Sequence, residues 1–308
     1  MRVEKTKKKK KWPKIVAGIF LVLFLAVGGY VFMVYKSLTE AVETMHQPIS
    51  HKSDKRPQEI TLTEKEPFSV LMLGVDERTG DKGRSDTMIV LTVNPNDKSI
   101  KMVSIPRDTR TEIIGKGFED KINHAYAFGN EEMSMATVEN FLDIPLDYYI
   151  KVNMESFKDI VDAVGGITVN SSLDFSQEGY HFTKGTNTLD GEAALAYVRM
   201  RKQDPNGDFG RQQRQRQIIE GVIKKGMSVN SLTKFDDVFE VLGKNVRTNL
   251  TFDEMKDIQK NYKEAAGTMQ QMTIKGNGQT INKVWYLVVP DEEKTRVQEE
   301  LKAHLELN

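Results

Sequence analysis

Phe68-Ser69-Val70-Leu71-Met72-Leu73, the charged loop from Gly74 to Asp86, and Thr87-Met88-Ile89-Val90-Leu91-Thr92-Val93 together decide the fold. The two runs are short and apolar, which suits buried strands. Asn94-Pro95-Asn96-Asp97 is a strong turn signal, and Ser99 to Ile105 returns as a third strand. The loop leaves the end of the first strand and enters the start of the second. The third strand runs back from the turn, so it finishes at the same end as the loop. Asp76, Arg78, Arg84, Asp86, Arg107 and Asp108 are therefore expected to gather at one edge of a sheet, where ligand sites of α/β proteins form.

Further along, residues 133–142, 154–164, 191–200, 212–225, 235–246 and 253–265 read as helices. Strands are expected at 147–152, 166–169 and 284–289, and an amphipathic helix from Glu292 closes the chain. Strands mixed with helices, some joined by tight turns, predict an α/β sandwich with a mixed sheet.

The gathered residues alternate in sign. Carboxylates suit a divalent cation, and guanidinium forks match phosphoryl oxygens in pairs. Two aspartates without a cage of further oxygen ligands fit Mg²⁺, which completes its shell with water and substrate phosphate; Asp76 and Asp86 are the candidates. The plainer reading is a loop of solvated ion pairs, and Arg107-Asp108 at the same edge weighs against it. A second basic cluster runs from Tyr197-Val198-Arg199-Met200-Arg201-Lys202 to Gly210-Arg211-Gln212-Gln213-Arg214-Gln215-Arg216-Gln217. It reads either as an exposed helix face or as a row of donors along a cleft, with Arg211, Arg214 and Gln215 three and four residues apart.

Several chemistries lack their motif. No Gly-x-x-x-x-Gly-Lys-Ser/Thr loop, His-Glu-x-x-His or Gly-x-Ser-x-Gly occurs, and the five histidines are scattered. His124 lies nearest the candidate edge, where a lone histidine reads as structural. A glycosidase carboxylate pair is decided by separation in space and is not legible here.

The N-terminus sets the compartment. Residues 1–14 form a basic tail, and 15–35 is an uncharged, mostly apolar run of bilayer-spanning length. The run is longer than a signal-peptide core and no small-x-small site follows it, so it is expected to be an uncleaved transmembrane helix. The basic flank should remain cytoplasmic, placing everything after Lys36 outside the cell. Residues 36–66, polar with Pro48 and Pro57 and with Pro67 just beyond, read as a stalk, and 67–308 as the folded domain. The chain has 308 residues with 44 Lys/Arg and 44 Asp/Glu, but eight of the basic residues and one acidic residue fall in 1–35. The exported part is thus net acidic by about seven charges, which argues against nucleic acid as a partner. With no cysteine, stability must come from a packed core.

Gly-Val-Asp-Glu-Arg (74–78), Gly-Arg-Ser-Asp-Thr-Met (83–88), Ser-Ile-Pro-Arg-Asp-Thr (104–109), Lys-Ile-Asn-His-Ala-Tyr (121–126), Val-Gly-Gly-Ile (164–167) and the two Arg/Gln clusters resemble, in this order, the LytR-CpsA-Psr family. The resemblance covers about residues 67–227 and is strongest toward the teichoic-acid transferases of Gram-positive bacteria. It implies an αβα sandwich with a central mixed β-sheet and an apolar tunnel for a lipid tail. It also implies transfer of an anionic glycopolymer from a polyprenyl-pyrophosphate carrier to the C6 hydroxyl of peptidoglycan N-acetylmuramic acid, with polyprenyl phosphate released. Metal-binding aspartates of the family match Asp76 and Asp86. Head-group residues match Arg84, Arg107, Arg199, Arg201, Arg211 and Gln215.

With the residues read directly from the chain, the candidate pyrophosphate-binding set is Arg78, Arg84, Arg107, Arg199, Arg201, Arg211, Gln213, Arg214 and Gln215. The catalytic candidates are Arg107, Asp86 and Asp108, and the expected cofactor is Mg²⁺, with Mn²⁺ as its substitute. The expected partners are the lipid-linked polymer, peptidoglycan and the membrane. A hydrolase that passes the carrier linkage to water, and a non-catalytic wall-polymer receptor, are the rival readings.

Overall fold

The computed structural model describes residues 33, 35–56, 58–76, 83–153, 156–227, 238 and 241–307. In chain order the named elements are β1 (Phe68–Val75), β2 (Ser85–Asn94), β3 (Ser99–Ile105), β4 (Arg110–Ile113), β5 (Phe118–Lys121), α1 (His124–Leu142), β6 (Tyr148–Asn153) and α2 (Phe157–Ala163). They continue as β7 (Ile167–Ser171), β8 (Phe175–Gln177), β9 (Tyr180–Phe182), β10 (Gly185–Leu189), α3 (Gly191–Arg199), α4 (Gly207–Met227) and β11 (Val246–Thr248). The last five are α5 (Phe252–Asn261), β12 (Thr268–Thr273), β13 (Asn277–Ile281), β14 (Val284–Val288) and α6 (Asp291–His304).

A six-stranded sheet in the order β11-β6-β1-β2-β3-β12 forms the centre. β1 pairs antiparallel with β2 and parallel with β6, β2 pairs antiparallel with β3, and β12 lies parallel to β3. The sheet is therefore mixed, as expected. Alternation along the strands supplies two apolar faces. Leu71, Leu73, Val75, Met88, Val90, Val103 and Ile105 pack beneath α1 and α6 with Val138, Phe141 and Leu301. Val70, Ile89, Leu91, Ile100 and Met102 pack on the opposite face with Ile219 of α4 and Tyr262 and Ala265 after α5. Helices on both faces of one sheet make the αβα sandwich. Burial of each large aliphatic side chain stabilises it by about 1.5–3 kcal/mol.

A smaller core joins α2, α3, β7, β10 and the β8–β9 hairpin, with Phe175, Phe182 and Tyr197 at its centre. α2 and α3 approach closely at Gly191, where a Cβ would lie 2.2 Å from the Lys158 carbonyl oxygen. Asp190 caps α3 by accepting from the Ala193 amide at 2.8 Å. α5 starts on a reciprocal cap between Thr251 and Glu254.

Several elements differ from expectation. α1 begins nine residues before the expected helix, and its first turns are set off by non-helical backbone at Gly129 and Asn130. The expected helix over 253–265 ends at Asn261 and continues as a short 3₁₀ segment, and Val246, the last residue of an expected helix, instead opens the strand Val246–Thr248. The rest of the expected 235–246 helix is helical at 238 and 241–245 and otherwise lies outside the described residues. Much of the segment read as a stalk packs on the domain. Residues 35–45 are helical, Val42 and Met45 are buried beside Ile160 and Val246, and His51 meets Glu139 at 2.7 Å. The expected basic tail and membrane span lie, apart from Met33 and Tyr35, outside the described residues. Among the described residues no helix is long and apolar enough to cross a membrane.

Candidate active site

The β1–β2 ladder pairs Gly74 with Thr87 but Val75 with Ser85, so Asp86 is the extra residue of a bulge. A bulge bends its strand and re-aims a side chain, and such irregularities favour functional edges. Asp76 follows directly on Val75 and Asp86 directly on Ser85, so both residues adjoin the last pair of this ladder. β3 ends at Ile105 on the same edge, and Arg107 turns back to give Nη1–H···Oδ1 of Asp86 at 2.7 Å. Burial works against the charge on Arg107, but Asp86, Asp108 and Asp208 outweigh it and raise its pKa above the ordinary value.

α4 supplies the opposite wall. Asp208 in its first turn approaches Arg211 Nη2 at 2.6 Å. Arg211 is held below its ordinary pKa by burial; Asp208 and Asp86 only partly offset that burial and the repulsion of Arg107 and Arg201. Arg211 Nε is buried without a hydrogen-bond partner. Orphaned polar atoms of this kind are rare in folded proteins and mark a place where a ligand completes the network. One turn on, Gln215 Nε2 donates to Thr87 Oγ1 at 2.9 Å.

Asp86, Thr87, Ser104, Arg107, Arg211 and Gln215 line the resulting polar pocket. Beside it, over β11, β6 and β1, lies a cavity of about 470 Å³ walled by Met72, Ile150, Val152, Ile219, Ile223 and Met255 among others. Thr87 and Gln215 line both spaces. Polarity thus rises across the sheet from an apolar chamber to a pocket rimmed by guanidiniums.

The sequence model of the LytR_cpsA_psr family matches residues 31–303. The chain belongs to the LytR-CpsA-Psr family. It is 54% identical over 305 residues, 99% of either chain, to the polyisoprenyl-teichoic acid–peptidoglycan teichoic acid transferase TagU of Bacillus licheniformis. The crystal structure of Bacillus subtilis TagU, 54% identical, superposes with a TM-score of 0.66 and covers 79% of this chain and 99% of that one. The family protein YwtF (TagT), solved with bound octaprenyl pyrophosphate lipid, gives 0.70 at 31% identity, over 85% of this chain and all of that one.

Within this family fold, the expected site residues separate into groups. Asp86, Arg107, Arg211 and Gln215 line the pocket, and Arg201 is close enough to act electrostatically on Arg211. Asp76 and the exposed Arg84 flank the same edge. Arg199 sits at the end of α3, where Nη1 donates to Glu178 Oε2 at 3.3 Å. Asp108 is not among the pocket's lining residues; Lys121 Nζ holds its Oδ1 at 2.6 Å, and it stands 3.7 Å from Arg107 Nε. Arg78 lies outside the described residues.

Two expectations for α4 need correction. Arg214 does not join the row of donors: it pairs with buried Asp204, and its Nε donates to the Tyr197 carbonyl at 3.1 Å. Helical spacing of four brings Arg211 and Gln215 together, whereas three carries Arg214 inward against the α3–α4 connection. Gln213, two residues from each, is exposed on the opposite side of the helix.

Asp208, Thr87 and Ser104 were missed. An expected helix start at Gln212 left Asp208 outside the helix, although its i,i+3 relation to Arg211 was the available signal. Thr87 and Ser104 read only as strand residues. Among the described residues no group of three or more His, Cys, Asp or Glu is placed to hold a metal. Asp76 and Asp86 on either side of the Val75–Ser85 pair are a donor set of the kind Mg²⁺ takes, its remaining ligands being water and phosphate.

Proposed function

We propose that this chain is a Mg²⁺-dependent phosphotransferase of the bacterial cell wall. It would move an anionic glycopolymer, wall teichoic acid, from a polyprenyl-pyrophosphate carrier to the C6 hydroxyl of N-acetylmuramic acid in peptidoglycan. The observation that carries the reading is the seam at Thr87 and Gln215, where an apolar chamber of about 470 Å³ meets an arginine-rimmed pocket. A polyprenyl pyrophosphate has these two halves, an apolar tail and a multiply charged head. The names of the relatives and the octaprenyl pyrophosphate in the structure of one of them support it independently.

On this reading Arg107 and Arg211 bind the diphosphate oxygens, with Arg201, Arg84 and Arg199 toward the outer rim. Asp76 and Asp86 would hold Mg²⁺ (or Mn²⁺), which when bound supplies charge neutralisation at the diphosphate. Phosphoryl transfer asks chiefly for positioning and for stabilisation of charge on the transferred group. The acceptor oxygen attacks the phosphorus that carries the glycopolymer, the bond to the bridging oxygen breaks, and polyprenyl phosphate leaves. The hydroxyl proton must pass to a base. Asp86 in the pocket, or Asp108, whose Oδ2 stands 3.7 Å from Arg107 Nε, would take it. A single-pass anchor would confine the enzyme to the bilayer that holds its lipid donor, with the domain outside a Gram-positive cell, raising their effective concentration.

The test is attachment of lipid-linked polymer to peptidoglycan by Asp86→Ala and Arg107→Ala, with and without EDTA. Loss in both variants and on chelation is expected. Activity near wild type in the variants would reject the site, and acceptor-independent release as the main flux would make the protein a hydrolase.

A further inference from the structure

The polar pocket has a wall over β3 that the arginines and aspartates above do not account for. Ser104 lines that wall and is 2% exposed. Its Oγ accepts from Arg216 Nη1 at 2.7 Å. Arg216 is also 2% exposed, and its Nε donates to Gln271 Oε1 on β12 at 3.2 Å. Gln271 Nε2 in turn donates to Glu220 Oε2 at 3.1 Å, which places that carboxylate one residue removed from the guanidinium. Burial alone acts on Arg216, drawing its pKa down to about 10, and no carboxylate offsets it. A buried cation held only by neutral partners is costly unless an anion comes near.

The direction of the Ser104 bond matters. A guanidinium only donates, so Arg216 occupies a lone pair of Oγ and leaves the hydroxyl hydrogen to point elsewhere. Among the described residues that hydrogen has no acceptor. We propose that Ser104 is a phosphate-binding residue of the pocket, donating its hydroxyl to a diphosphate oxygen, and that Arg216 is the positioning residue that aims it. This rests on the reading of the pocket as a pyrophosphate site. It extends the head-group contacts from β2 and α4 onto β3, in line with the rise in polarity from β11 toward β12. Arg216 also offers long-range attraction to the anion without touching it. Lysine would lose the planar fork that spans Ser104 and Gln271.

The plainer alternative is a staple that fixes α4 to β3 and nothing more. Titration calorimetry with Mg²⁺-pyrophosphate, and separately with a short-chain polyprenyl pyrophosphate, distinguishes the two when paired with thermal unfolding. Ser104→Ala is expected to weaken both ligands roughly ten- to a hundredfold, the loss of one hydrogen bond to a charged group. Ser104→Thr should restore affinity. Ser104→Cys, similar in shape but a weak donor, should weaken it and covers the case in which alanine does not fold. Arg216→Gln should weaken binding as well, and the Ser104→Ala, Arg216→Gln pair should lose less than the sum of the singles. Affinity unchanged in folded Ser104→Ala and Ser104→Cys would reduce the contact to a staple and overturn the proposal alone. A wild-type protein that binds neither ligand would overturn the pyrophosphate reading, and the proposal with it.

Discussion

Gln215 Nε2 donates to Thr87 Oγ1 across 2.9 Å, and these two side chains are the boundary between the apolar chamber and the polar pocket. One residue comes from the α4 helix and the other from the second residue past Ser85 on β2, so the boundary depends on the helix seating correctly over the sheet. Gln215→Leu keeps the shape and removes the amide. The expected outcome is an unchanged unfolding temperature with at least roughly tenfold weaker binding of polyprenyl pyrophosphate, the scale of a lost hydrogen bond to an anion. Equal affinity in calorimetry would show that the boundary does not contact the head group.

The chamber makes a separate prediction. Ile223 lies on its wall and is only partly buried, so Ile223→Trp should project into the open space without disrupting the packed core. Binding of polyprenyl phosphate is expected to fall below detection while Mg²⁺-pyrophosphate binds as in wild type. Loss of both ligands together would mean that the substitution has deformed α4 rather than filled the chamber. Retention of the lipid would mean that its tail lies elsewhere.

Arg214 belongs to stability rather than to binding. Its guanidinium pairs with Asp204, and both side chains are almost fully buried, at 6% and 2% exposure. Removing one member leaves the other charged and without its partner in the interior. Arg214→Gln should therefore destabilise the fold by about 3–5 kcal/mol in urea denaturation. The affinity of the folded fraction for pyrophosphate should stay within about twofold. A stable variant with weakened binding would return Arg214 to the head-group residues.

The difference between Arg214 and its neighbours shows what the sequence can and cannot convey. Strand direction around Asn94–Asp97 was legible because a turn signal joins two apolar runs, and it placed Asp86 and Arg107 at one edge. Which face of α4 meets that edge was not legible, because Arg and Gln fill every position from 211 to 217 and hydrophobic periodicity is interrupted there. The bulge at Asp86 is a difference of one residue between two loop ends and leaves no compositional trace. The β4–β5 and β8–β9 hairpins are only three or four residues per strand, too short for alternation to register. Residues 36–66 looked like a stalk because they are polar on average, yet a few apolar side chains such as Val42, Met45 and Leu62 suffice to dock them.

Acid sensitivity should trace to His304, far from the pocket at the end of α6. Its Nδ1 lies 2.7 Å from Thr92 Oγ1 and its Nε2 2.9 Å from Ser99 Oγ, with the ring enclosed between β2 and β3. Burial, aided by Lys101 and resisted by Asp97, Glu300 and Glu306, lowers its pKa from 6.5 to about 4. The folded protein thus holds a neutral ring where the unfolded chain binds a proton. Stability rises with pH wherever the unfolded state carries the extra proton, so this contribution is complete above about 6.5 and is lost as pH falls toward about 4. His304→Gln removes the titration while keeping a side chain able to hydrogen-bond. Urea denaturation at pH values from 7 to 4 should give a shallower loss of stability in the variant than in wild type, with the two curves converging in slope below about 4. Parallel curves across the whole range would show that the acid response comes from the carboxylates instead.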